Sequence, residues 1–94
     1  MKIVKANSFI KKFKGLMFKK NIEYGMFFSN TNKIHTFFMK ESIDIYGLDD
    51  DYVVKDICFN VKPWKIVFLK NSKHVLEIPS SSNYKLTKNE KVRF

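Results

Sequence analysis

Little in this chain can form a covalent or thiolate-borne cross-link. Among its 94 residues there is one cysteine, Cys58, so an intrachain disulfide and a cysteine-built metal cluster are both excluded. Two prolines (Pro63, Pro79) and three glycines (Gly15, Gly25, Gly47) punctuate it, with no repeat, linker or low-complexity segment. No apolar run approaches the ~20 residues of a membrane span. The start, MKIVKANSFIKKFKG, lacks the continuous apolar stretch of a signal peptide. A cytoplasmic protein is expected, exported only if a leader has been removed. Dividing the chain would leave each half too small to bury a useful core, so residues 1–94 are expected to form one domain, and a monomer.

Arginine is almost missing too. Net charge is +9, yet Arg93 is the sole arginine and every other cation is a lysine. Specific reading of phosphates or bases usually favours the arginine fork, which leaves low-specificity nucleic-acid binding through lysines as an alternative only. Charge is unevenly spread. Residues 1–20 hold seven lysines and no acid, and residues 41–56 hold six acids against Lys55.

What is plentiful is apolar mass. Hydrophobic residues make up 45% of the chain, ten of them Phe, enough for a compact core. The pattern predicts short strands at Lys2–Ala6, Tyr24–Ser29, Ile34–Met39, Ile43–Leu48, Tyr52–Asn60, Lys65–Leu69 and His74–Ile78, closed by Lys91–Phe94. Asp49-Asp50-Asp51 suits a hairpin turn, and Lys65–Leu69 is expected to pair with His74–Ile78. Pro79 with Ser80, Ser81 and Ser82 breaks the pattern. Ser8 can cap a helix to about Met17, with Phe9, Ile10, Phe13 and Leu16 opposite Lys11, Lys12 and Lys14. The expected fold is therefore α+β: a small, mostly antiparallel β barrel or sandwich with one short N-terminal amphipathic helix.

The run Lys33–Asp44 (KIHTFFMKESID) is the best candidate for a site. Period two places His35, Phe37 and Met39 on one face and Ile34, Thr36 and Phe38 on the other. Both faces are largely apolar, as in a strand covered on two sides, and its imidazole and hydroxyl then need partners. Glu41 or Asp44 could orient His35 as a general base. No serine or cysteine is marked as a nucleophile, since Cys58 sits in the apolar run Ile57–Val61, where a thiol is more often packed than activated. A calcium loop starting at Asp49 would need Gly at the sixth position and Glu at the twelfth, where Val54 and Asn60 stand. Nothing in the spacing of His35 and His74 builds a metal site, so neither metal nor cofactor is expected. Trp64, between lysines and after Pro63, could stack on a ligand, anchor a partner or cover the core.

These segments form an ordered set. Ile34-His35-Thr36-Phe37-Phe38-Met39, Ile43-Asp44, Leu48-Asp49, Val61-Lys62-Pro63-Trp64 and Val75-Leu76-Glu77-Ile78-Pro79, preceded by Lys14-Gly15-Leu16-Met17-Phe18, resemble the bacterial and archaeal domain-of-unknown-function family 192 over roughly residues 5–93. The resemblance implies a compact, barrel-like α+β domain with no established biochemical activity. Its members are often exported or membrane-anchored, whereas this chain shows no leader. It departs from the pattern at Ser42 (usually Pro), Thr31 (often Cys), Ser81 (usually Gly) and Asn89-Glu90 (commonly Gly-Asp). The missing cysteine argues against a thiol partner for His35. The motifs mark His35, Thr36, Asp44, Trp64 and Glu77. A carboxylate framed by Val75, Leu76 and Ile78 is costly unless exposed or paired, with Lys65, a backbone N–H or protonated His35 as candidate partners.

The chain is accordingly expected to be a small non-catalytic binding domain for an unknown small ligand or protein partner. Its pocket or groove would lie near the IHTFFM strand, drawn from His35, Thr36, Met39, Asp44, Trp64 and Glu77. A hydrolase-like enzyme using His35 with a carboxylate is the second reading.

Overall fold

The structure, a computed structural model, describes residues 2–6 and 23–94. The strands are β1 (Lys2–Lys5), β2 (Tyr24–Phe28), β3 (Lys33–His35), β4 (Ile43–Leu48), β5 (Val54–Val61), β6 (Ile66–Phe68) and β7 (His74–Pro79). Five of them form one sheet in the order β1-β2-β7-β4-β5, and β3 pairs with β6 in a separate two-stranded ribbon. Pairing is antiparallel except between β1 and β2, which run parallel.

The two central strands carry the fold. Every residue of β4 and β7 is buried, on both faces of the sheet. Alternation sends Ile43, Ile45 and Val75 into one core with Met26, Phe28, Met39 and Leu69, where Ile34 and Val67 of the ribbon pack on top. Tyr46, Leu48, Leu76 and Ile78 enter the other core with Phe27, Val54, Leu86 and Val92. Each such side chain contributes about 1.5–3 kcal/mol when fully buried, so the β4–β7 pair anchors both layers.

Several expectations need correction. The expected barrel does not close: the mixed sheet stays open with β1 and β5 as edges, and among the described residues there is no helix. The helix expected over Ser8–Met17 lies outside the described residues. The predicted strand Ile34–Met39 ends at His35, because the backbone turns at Thr36 to bond the 62–65 segment. Lys65–Leu69 does not pair with His74–Ile78; β6 leaves to join β3, and β7 inserts between β2 and β4. The closing strand shrinks to one bridge between Val53 and Lys91. The β4–β5 hairpin forms as expected across the acidic turn, where Asp49 Oδ1 accepts the N–H groups of Asp51 and Val53.

Gly47 shows how tightly the sheet meets its loops. A Cβ there would collide with Oγ and Cβ of Ser72, whose hydroxyl donates to Asp56 Oδ2 at 2.6 Å. Gly47→Ala should therefore lose about 1–3 kcal/mol of stability in urea unfolding, and adding Ser72→Gly should restore part of it. Equal loss in the single and double variants would show that the clash is not the cause.

Candidate functional site

The ribbon has an inner and an outer face. Its register pairs Lys33 with Phe68, Ile34 with Val67 and His35 with Ile66. Since Ile34 and Val67 face the core, the alternate positions Lys33, His35, Ile66 and Phe68 face outward. Ile66 is 61% exposed and Phe68 64%. Beyond the ribbon the surface continues through aromatic rings. His35 lies 4.9 Å from Phe37, Phe37 stacks at 5.7 Å on Trp64, and Phe38 meets Trp64 edge-on at 4.8 Å. The His35 Nδ1 accepts the Phe37 N–H at 3.1 Å, which places that ring's proton on Nε2.

Thr36 ties the two loops of this surface together. Its hydroxyl donates to the Lys62 carbonyl at 2.7 Å and accepts the Lys65 N–H at 2.8 Å. Its own N–H donates to the Lys65 carbonyl at 2.8 Å, and its carbonyl accepts from Met39 and Trp64. Inside this knot Phe38 and Trp64 adopt φ values of 63° and 70°, left-handed backbone that bulky residues rarely occupy. Such positions cost about 1–3 kcal/mol each and persist only where surrounding bonds enforce them. Thr36 is fully buried, with its hydroxyl turned to backbone groups.

Asp44 and Glu77 lie elsewhere. Met39 packs with Ile43 and Ile45, whereas Asp44 alternates with them and points to the opposite side of the sheet. There it sits at a bulge, where Ile43 pairs with Val61 and Ile45 with Cys58, and its Oδ1 accepts the Asn60 N–H at 3.0 Å. Ser80 donates to the same oxygen at 2.8 Å, and Lys85 Nζ reaches Oδ2 at 2.6 Å. The structure thus brings His35, Thr36 and Trp64 into one neighbourhood and keeps Asp44 out of it.

Glu77 shares a cross-strand row with Val4, Met26, Ile45 and Cys58, on the face that the ribbon covers. Burial pushes its carboxyl up to about 8, so it is held neutral at pH 7. Among the described residues no ion pair reaches it: Lys65, a candidate partner, is exposed, and the ion pairs join Lys55 to Asp49, His74 to Asp50 and Lys85 to Asp44.

Sequence reasoning did not single out Phe38, Ile66 and Phe68 as surface groups, because an apolar residue at a strand position looks the same whether its face is covered or exposed. It also missed Lys85 and Ser80, whose link to Asp44 spans too much sequence to leave a local signal. His74 is likewise placed by the fold, buried against Phe27 and Tyr52, its Nδ1 accepting the Asn30 N–H and its Nε2 3.3 Å from Asp50.

Two tests follow from this geometry. Thr36→Val keeps the shape but leaves the Lys62 carbonyl and Lys65 N–H unsatisfied, so it should cost about 2–4 kcal/mol and alter the near-ultraviolet dichroism of Trp64. For Glu77, the folded chain retains between pH 4.5 and 8 a proton that the unfolded chain releases. Wild-type stability should fall as pH rises through that window, by on the order of 3 kcal/mol at pH 7 relative to pH 4.5, while Glu77→Gln loses this part of the slope. Parallel stability profiles for the two proteins would refute a neutral Glu77.

Comparison with known proteins places this architecture. The UPF0127 protein PH1112 of Pyrococcus horikoshii is 42% identical, over 79% of this chain and 69% of that one. A UPF0127 protein of Thermococcus sibiricus is 37% identical, over 79% of this chain and 52% of its own length. The chain thus spans about half to two-thirds of these curated relatives. A crystal structure of a protein of unknown function from Novosphingobium aromaticivorans superposes with a TM-score of 0.72 over 82% of this chain and 61% of that one; at 24% identity it shares the fold alone. The model of domain-of-unknown-function family 192, described as an uncharacterised ACR, matches residues 1–94, and the chain belongs to that family.

Proposed function

We propose that this chain is a non-catalytic binding domain working through the outer face of the β3–β6 ribbon and the adjoining Phe37, Phe38 and Trp64. One observation carries the reading: two large aromatic residues stand at 46% and 60% exposure on left-handed backbone that a buried threonine holds in place. A sequence selected for stability alone would put a glycine or asparagine at such positions and bury the rings. Strain kept in order to display apolar side chains is what a recognition surface requires.

Within this reading His35 and Trp64 touch the partner, and Thr36 and Met39 position them from below. Asp44 and Glu77 support the sheet. The groups that could run covalent or acid–base chemistry are poorly placed for it. Burial pushes the Cys58 thiol up, and Asp56 adds to that, away from the reactive thiolate. Both ring nitrogens of His74 face partners, and the Nδ1 of His35 is taken up by the Phe37 N–H.

An amide-detected NMR titration tests the proposal against anionic vesicles, a short single-stranded oligonucleotide and an acidic polypeptide. At least one should shift or broaden residues 33–38 and 62–68 selectively, and Phe68→Ser should abolish the effect while changing stability by only about 0.5 kcal/mol. Responses centred elsewhere, or none with any probe, would sink the reading.

A further inference from the structure

The charge around the aromatic face identifies its partner. Segments 31–42 and 62–70 carry five exposed lysines, Lys33, Lys40, Lys62, Lys65 and Lys70, and a single acid, Glu41. The Asp49–Asp51 triplet belongs to the β4–β5 hairpin turn, and the Asp56 carboxylate is taken up by Asn71 and Ser72, which follow Lys70 in the chain. Ile66, Phe68, Phe38 and Trp64 therefore stand exposed on two short segments whose charged side chains are almost all cationic. Resting on the binding-domain reading above, we propose that this face docks on an anionic lipid bilayer, its apolar side chains entering the interfacial zone and its lysines meeting the headgroups.

Three observations favour a bilayer over other polyanions. Trp64 already stacks on Phe37 at 29° and meets Phe38 edge-on at 62°, so its ring is engaged within the protein rather than set out as one of a series of platforms for successive bases. The outer face of the ribbon presents Lys33, His35, Ile66 and Phe68, a donor set without amide or arginine groups that read base edges. Ile66, the second most exposed of these side chains, has no ring to stack, yet an aliphatic side chain partitions readily into lipid. Lysine suits the same partner, since its long stem lies along apolar surface while its ammonium stays at the headgroups. A second copy of the chain is disfavoured, because a self-complementary contact would set this cationic rim against itself.

Trp64 is the only tryptophan, so its emission reports this face alone. Phosphatidylglycerol vesicles at low salt should move it to the blue, phosphatidylcholine vesicles should not, and raised salt should reverse the shift. Replacing Lys33, Lys62 and Lys65 together by glutamine should weaken binding about a hundredfold, at about fivefold per lysine near an anionic surface. Ile66→Ser with Phe68→Ser should abolish the shift. All of these side chains are exposed, so the variants should fold, which far-ultraviolet dichroism checks. An equal response to both vesicle types, or none to the anionic one, would overturn the bilayer assignment. A response to single-stranded oligonucleotide or acidic polypeptide without vesicles would overturn it while leaving the binding domain intact, and silence with every probe would remove both.

Discussion

Burial of β4 and β7 on both faces is the constraint from which the rest of the structure follows. Two strands with no solvent side can hold polar groups only if each is satisfied in place. Besides the Tyr46 hydroxyl, three such groups sit there, and each is handled differently. Asp44 is satisfied by Lys85, Ser80 and the Asn60 N–H, which surround its two oxygens. His74 accepts from a backbone N–H on one nitrogen and faces a surface carboxylate with the other. Glu77 gives up its charge instead, held neutral by desolvation. The C-terminal segment is organised by the same strands, since Lys85 reaches Asp44 and the Leu86 N–H donates to the buried Tyr46 hydroxyl at 3.2 Å.

Asp44 and Thr36 solve one problem in two places. Where backbone leaves regular pairing, its N–H and C=O groups lose ladder partners and a short polar side chain can replace them. Asp44 does this at the β4–β5 bulge, where Asn60 takes a φ of 53°. Thr36 does it at the end of β3, where Phe38 and Trp64 take the strained conformations. The difference lies in what is displayed. The bulge carries an asparagine, which tolerates left-handed backbone at little cost, whereas the β3 end carries two large rings that do not.

This difference also explains what was legible in the sequence. Ile43–Leu48 and His74–Ile78 were readable because short, mainly apolar segments bounded by turn residues match strands, and the acidic turn after Leu48 marked a hairpin. The same logic failed at Ile34–Met39 and Lys65–Leu69. Alternation cannot distinguish a strand buried on two faces from one whose outer face is apolar and exposed, so the exposure of Ile66 and Phe68 left no signal. The strand's end at Thr36 was hidden because its partners are backbone groups of residues 62 and 65, on which side-chain pattern is silent. Of the candidate residues, His35, Thr36 and Trp64 proved to be neighbours; alternation from Ile43 put Asp44 on the far face, although its place in the sequence is adjacent.

The cost of the aromatic face falls on a part of the molecule that can bear it. Strain of a few kcal/mol in a central strand would consume much of the 5–15 kcal/mol that separates folded from unfolded chains. Here the strain at Phe38 and Trp64 falls in two loops on a three-residue ribbon, anchored by Ile34 and Val67 and by one buried hydroxyl, and that at Tyr52 in the β4–β5 turn, outside the central strands. The main sheet, with β4 and β7 fully enclosed, keeps its packing whether or not the rings above it are engaged. Stability and display are thereby separated: the core residues answer to burial, and the outward residues of β3 and β6 are left to answer to a partner.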